Sequence, residues 1–119
     1  MKNILEEIAA RTRERIAKEK SRISVSELEN RIQEVNKNAR QKITFLQALQ
    51  KDGMSYICEV KKASHSKGLI SPDFPYLAIA KEYEQAGASA ISCLTEPFYF
   101  QGADQYLREI AAAVQIPVL

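Results

Sequence analysis

The sequence predicts an α/β protein, with a parallel sheet wound by helices and a helical segment ahead of it. Two observations carry this. From residue 55 the chain reads strand, loop, helix twice over and then opens another strand, an alternation that implies βαβ units. Before residue 50, apolar residues recur at helical spacing. The composition permits a real core: of 119 residues, 45% are hydrophobic and 27% charged, with a formal net charge of +2. That is too apolar for a disordered chain.

Taken in order, Leu5, Ile8, Ala9, Thr12 and Ile16 lie on one stripe and predict a helix over 3–20. Ser24, followed three residues later by Glu27, is a capping-box pattern. A second helix is expected from there to Asn36–Asn38, with Val25, Leu28, Ile32 and Val35 on one face. Phe45, Leu46, Ala48 and Leu49 predict a short helical turn, which Asp52-Gly53 breaks. Tyr56-Ile57-Cys58-Glu59-Val60 is a short β-rich run and reads as a buried strand. Ser64 to Pro72 is a polar loop. Tyr76, Ile79, Ala80 and Tyr83 fall at helical spacing, with Pro75 suited to the first turn and Gly87 to the stop. Ala88 to Leu94 is a second strand, Glu96 to Gly102 a loop, and Leu107, Ile110, Ala111 and Val114 mark another helix. Pro117-Val118-Leu119 opens a third strand.

Several function classes are set aside by charge and pattern. No run of about 18 apolar residues exists to span a membrane. The N-terminus carries Glu6 and Glu7 early and lacks the apolar core of a secretory signal. Residues 1–42 hold 11 Lys/Arg against 7 Asp/Glu, but the signs alternate as on a solvated helix face. No aromatic lies in that segment to stack on a base, so no nucleic-acid partner is expected. Cys58 and Cys93 have no metal spacing and no CxxC. Free thiols in a reducing cytoplasm are the expectation.

The first strand carries the chemistry. A covered parallel strand should be nearly all apolar, yet this one bears Glu59 and Lys61. Period 2 puts both on one face, at the carboxyl end where parallel α/β folds place their sites. A carboxylate beside an ammonium keeps both charged, so the pair can hold an anion with the Lys and a hydroxyl or water with the Glu. The bland alternative is a strand-end ion pair. The following loop, Ala63-Ser64-His65-Ser66-Lys67-Gly68, offers hydroxyls, a cation and free amides to a phosphate or carboxylate. It lacks P-loop spacing, and such loops are mostly only loops. His65 reads as a solvated loop residue. The second loop holds Phe98, Tyr99 and Phe100 after a strand end, either an apolar wall for an aromatic ligand or helix-layer packing. If Ser92 shares the face of Lys61, both cysteines point at the helix layer as structural thiols.

Two long runs carry a resemblance. Residues Ile57-Cys58-Glu59-Val60-Lys61-Lys62-Ala63-Ser64-His65-Ser66-Lys67-Gly68 resemble the first strand and loop of the indole-3-glycerol-phosphate synthase family, Glu-x-Lys-[Lys/Arg]-x-Ser-Pro-Ser. Residues Ala90-Ile91-Ser92-Cys93-Leu94-Thr95-Glu96-Pro97-Phe98-Tyr99-Phe100-Gln101-Gly102 are similar to its second, Ser-x-Leu-Thr-Glu-x-x-Tyr-Phe-x-Gly. The resemblance covers nearly the whole chain, the basic N-terminal helix included. It implies a partial (β/α)8 TIM barrel of about two and a half βα units, preceded by N-terminal α-helices. Residues 1–50 would be the helical extension and 51–119 the start of the barrel.

The activity so implied is that of a carbon–carbon lyase of tryptophan biosynthesis. It closes the ring of 1-(2-carboxyphenylamino)-1-deoxyribulose 5-phosphate, a phosphosugar–anthranilate substrate, and decarboxylates it to indole-3-glycerol phosphate. No organic cofactor or metal is expected, and no membrane. By the family's motif Glu59 and Lys61 are catalytic, and Lys61, Ser64 and Phe100 contact substrate, Phe100 in the wall of the anthranilate pocket. The related isomerase of the same pathway fits less well, because of the Glu59/Lys61 face and the Tyr99-Phe100-Gln101-Gly102 loop.

This sequence also departs from the family. His65 stands where Pro is usual, which frees the backbone φ there. Phe74 replaces a common Asp, which leaves the helix at Pro75 without its usual side-chain cap unless Asp73 substitutes, and Ala103 replaces a common Ser, with Asp104 the alternative. The family's general-acid lysine follows the third-strand Pro-[Val/Ile]-Leu, and Leu119 is the last residue here. The general base and phosphate site come later still in a barrel of about 250 residues. Residues 1–119 alone are therefore expected to be inactive. The alternative is a non-catalytic barrel fragment that self-associates through open sheet edges or pairs with a C-terminal half.

Overall fold

A computed structural model describes residues 3–38 and 42–119, which divide into two compact units, residues 1–41 and 42–119. The second unit includes the short third helix.

The first unit is two helices, α1 (Ile4–Arg22) and α2 (Val25–Asn38). Asn3 caps α1 by accepting the Leu5 N–H at 3.0 Å. Ser24 caps α2 by accepting the Glu27 N–H at 3.1 Å, the half of the expected capping box that satisfies an orphan donor. Ion pairs Arg31–Glu27 and Lys37–Glu34 run along α2. Neither helix buries a residue, and Leu28, Ile32 and Val35 are exposed. An open apolar groove of about 280 Å³ lies at the corner between Ile16, Ile23, Val25 and Leu28.

The second unit contains α3 (Phe45–Leu49), β1 (Ile57–Val60), β2 (Ala63–Ser64), β3 (Gly68–Leu69), α4 (Tyr76–Gln85), β4 (Ala90–Cys93) and α5 (Asp104–Ala113). A capping box opens α3, with Thr44 Oγ1 accepting from Gln47 N–H and the Gln47 side chain accepting from Thr44 N–H. β1 and β4 are parallel, with Glu59 opposite Ser92 and Val60 opposite Cys93. The chain from Pro117 adds to the far edge of β4 through a parallel bridge between Ile91 and Val118. The third strand start read from the sequence is present in this form.

Helices α4 and α5 cover one face of this sheet. Val60, Ala80, Ile91, Cys93, Ile110 and Val114 form the buried core, with Leu77, Ile79, Tyr83 and Leu107 packed around it. Full burial of a side chain such as Ile91 or Ile110 contributes about 1.5–3 kcal/mol. Two-sided burial would demand apolar residues throughout. The one-sided cover explains why β1 can alternate, Val60 inward to the helices and Glu59 exposed on the other face.

The helix ends show which local signals were effective. α4 stops in a Schellman motif: Gly87 has φ +97°, its N–H reaches Glu84 O at 3.1 Å, and Ala88 N–H reaches Tyr83 O at 3.0 Å. At its start Pro75 stands just ahead of the first turn with no side-chain cap, and α5 likewise starts without one. Asp73 and Asp104 therefore do not replace the missing caps. Asp73 instead offers its carbonyl to the Ser71 hydroxyl at 2.5 Å, and Asp104 meets the helix dipole from within the first turn. At the other end of α5, Lys42 Nζ donates to the carbonyls of Ala111 and Val114, the latter at 2.7 Å. A cation there satisfies orphan acceptors and complements the negative helix terminus. Glu84 Oε2 accepts the N–H groups of Gln115 and Ile116 at 2.7 and 3.1 Å, tying α4 to the turn that leads into the third strand.

Candidate active site

The candidate face is the one the helices leave open. Parallel pairing in register sets Glu59 of β1 beside Ser92 of β4, both pointing away from the core. Lys61, two residues beyond Glu59, returns to the same side. Its Nζ lies 3.2 Å from Glu59 Oε1, and the Ser92 hydroxyl donates to Glu59 Oε2 over a long 3.4 Å. The Lys61 side chain is 32% exposed and the Glu59 side chain 43%. Glu59 thus holds the ammonium with one oxygen and a hydroxyl with the other. Lys61 keeps further N–H donors to offer an anion. Behind them Tyr83 of α4 donates its hydroxyl to Glu59 O at 3.1 Å, fixing the strand end from the helix side.

The loop after β1 is more ordered than its polarity implies. Residues 63–69 form a small antiparallel hairpin, Ala63 opposite Leu69 and Ser64 opposite Gly68. Gly68 has φ +64°, which a non-glycine residue adopts only at a cost. Ser64 Oγ accepts the Lys67 N–H at 3.1 Å, and Ile70 and Ser71 both donate to Lys62 O. The Ser64 hydroxyl still has its proton to donate. Two-residue strands carry no readable periodicity, which is why the sequence showed only a loop.

The loop after β4 is closed by Glu96. Its Oε1 accepts the Phe98 N–H at 3.0 Å and its Oε2 those of Tyr99 and Phe100 at 2.7 and 3.2 Å. Its carbonyl takes the Gly102 N–H at 2.8 Å. Phe100 is half-buried and Phe98 exposed. The His65 and Tyr99 rings stand 6.2 Å apart, so the two loops meet at the same end of the sheet.

Of the residues singled out from sequence, Glu59 and Lys61 are brought into direct contact. Ser64 and Phe100 sit in the two adjoining loops. Ser92 joins the pair, as its face implied. Glu96 was passed over as a site residue, although an acid opening a strand-to-helix loop was the signal available. Cys93 is buried and its thiol is pushed up from its ordinary value by that burial, while Cys58 is partly exposed. Among the described residues, no three His, Cys, Asp or Glu side chains gather as metal ligands would, and no helix is long and apolar enough to cross a membrane.

An ammonium–carboxylate pair, a hydroxyl-bearing hairpin and an aromatic loop thus gather at the carboxyl ends of the parallel strands of an α/β protein. The family model for indole-3-glycerol phosphate synthase matches residues 5–119. An indole-3-glycerol phosphate synthase of Ruminiclostridium cellulolyticum is 49% identical over 117 residues, 98% of this chain and 44% of that protein. One of Lacticaseibacillus paracasei is 48% identical and one of Aliarcobacter butzleri 44%, each over 98% of this chain and 44% of the relative. The chain belongs to the indole-3-glycerol phosphate synthase family. It spans less than half the length of these relatives.

Proposed function

We propose that this chain supplies the first strands of a (β/α)8 barrel that converts 1-(2-carboxyphenylamino)-1-deoxyribulose 5-phosphate to indole-3-glycerol phosphate. The observation that carries this reading is the Glu59–Lys61 contact at the carboxyl end of β1, with Ser92 on the second oxygen of Glu59. Lys61 is the cation for the substrate carboxylate. Glu59 holds that ammonium in place and presents an acceptor to a substrate hydroxyl or amine. Ser64 donates its hydroxyl proton to an anionic group, and Phe100 stacks on the carboxyphenyl ring. Excluding water around these groups strengthens each charge interaction.

The general acid, the general base and the phosphate-binding groups implied by the family resemblance have no counterpart among residues 1–119. This segment by itself therefore binds no more than part of the substrate and does not turn it over. The test is to join this chain at Leu119 to the remainder of the Ruminiclostridium cellulolyticum relative and assay indole-3-glycerol phosphate formation. Activity in the joined protein and none in the 119-residue chain is the expected result. Turnover by the 119 residues alone contradicts the division of labour, and an inactive but folded joined protein contradicts the reading as a whole.

A second reading is favoured by the sheet itself. Among the described residues β1 is paired on one edge only, and Ile57, Tyr56 and Met54 are exposed beside it. Such an edge is a template for another strand, so the 119-residue chain alone self-associates or takes up a complementary C-terminal half.

A further inference from the structure

We infer that Glu96 is a positioning residue for the aromatic wall, acting through the backbone of Phe100. The inference rests on the proposed function for what Phe100 binds, and on geometry for the rest. Three successive amides, those of Phe98, Tyr99 and Phe100, converge on the Glu96 carboxylate at 2.7–3.2 Å. Successive N–H groups of this kind make a concavity that elsewhere holds an anion. Here the chain fills it with its own side chain, and charge-assisted bonds of this type are about twice as strong as neutral ones. Both oxygens accept N–H groups, so Glu96 serves the loop and is not itself aimed at a reacting atom.

Two further features show that the loop is held in one conformation. Gln101 has φ +49°, the only left-handed non-glycine among the described residues. Such a backbone persists where the surroundings over-determine it. At Gly102 a Cβ would lie 2.2 Å from Leu94 O and 2.6 Å from Thr95 C, so the loop closes back onto the end of β4 with no room for a side chain. Glu96 at one end and Gly102 at the other, joined by the Gly102 N–H to Glu96 O bond, bracket Phe100. A ring on a loosely held loop would bind its ligand only after ordering that loop, at a cost in affinity. The carboxylate removes that cost by ordering it beforehand.

The experiment has two arms. In the 119-residue chain, amide exchange is measured for wild type, Glu96→Ala and Glu96→Gln. Glu96→Ala is expected to speed exchange at Phe98, Tyr99 and Phe100 about tenfold or more while leaving Ile91 and Cys93 protected. Glu96→Gln, with one acceptor oxygen left, should keep protection at Tyr99 and Phe100 and lose it at Phe98. Equal exchange at 98–100 in wild type and Glu96→Ala overturns the inference.

In the joined protein, Glu96→Ala should raise KM by about tenfold, with a smaller effect on kcat. Glu96→Ala added to Phe100→Ala should cost nothing further, because both act through one ring. Additive losses overturn the assignment to Phe100. If the joined wild type makes no indole-3-glycerol phosphate, the proposed function has failed, and the exchange arm still decides whether Glu96 holds the loop.

Discussion

Lys61 and Glu59 share a strand face by periodicity alone, but the role proposed for them depends on the 3.2 Å between them. A charge-assisted contact contributes about 1.5–3 kcal/mol. Lys61→Ala in the joined protein should therefore lower kcat/KM roughly 10- to 100-fold, mainly through KM, as steady-state kinetics would show. Gly102 permits a direct steric prediction. Gly102→Ala forces a Cβ against backbone atoms that cannot rotate away, at a cost of about 1–3 kcal/mol, read as a lowered denaturation midpoint. The thiols should separate too. Burial raises the Cys93 pKa and shields its sulfur, so a thiol reagent should label Cys58 first and Cys93 only as the chain unfolds. Equal labelling rates in the native chain would contradict this. At this scale the sequence was legible where spacing along one strand decides the outcome, as for Glu59 and Lys61. It was not legible at Glu96, whose importance lies in backbone amides that carry no side-chain signature.

Between elements, α4 and α5 are joined by Tyr76, which donates its hydroxyl to Glu109 and packs at the margin of the core. The Tyr76 and Tyr106 rings meet at 4.4 Å, tilted by 40°, with Phe74 edge-on to Tyr106 at 5.3 Å. That hydrogen bond holds the Glu109 carboxyl below its ordinary value of 4.5, helped by the Gln105 amide. The same bond, with some burial, holds the Tyr76 hydroxyl above its ordinary 10.0. The signs follow by linkage. Glu109, depressed in the fold, adds stability above 4.5 that disappears as pH falls through its folded value. Tyr76, raised in the fold, adds stability below 10.0 that disappears as pH rises through its folded value. Denaturation of wild type and Tyr76→Phe should therefore differ most between those limits and converge at both extremes. A difference independent of pH would remove the hydrogen bond as its cause. The helices themselves were readable from apolar spacing. Their caps were less so: Thr44–Gln47 caps α3 unforeseen, while Asp73 and Asp104 leave α4 and α5 without one. Capping depends on the backbone angles at one residue, which its neighbours in space adjust.

On the scale of the molecule, the second unit is a sheet covered on one side. Its open face carries Glu59, and exposed Ile57 opens β1 with exposed Tyr56 and Met54 just ahead of it. The 119-residue chain should self-associate in a concentration-dependent way, and Ile57→Lys should reduce this by placing a charge on the edge strand. Sedimentation velocity across a concentration series would show it. A chain that stays monomeric throughout, with cooperative unfolding, would exclude the edge as a contact surface.

The sequence by itself determined the order of strands and helices, the apolar stripe of each helix, which α4 and α5 bury and α1 and α2 leave exposed, and the face on which Glu59 and Lys61 lie. These follow from periods of 3.6 and 2 that are local to each segment. Only the tertiary structure decided that Glu59 stands opposite Ser92, that Val118 pairs with Ile91, and that His65 of one loop meets Tyr99 of the other. The paired residues lie more than thirty positions apart along the chain, and α4 packs across both strands. No local pattern encodes that pairing, because it results from the packing of the whole core.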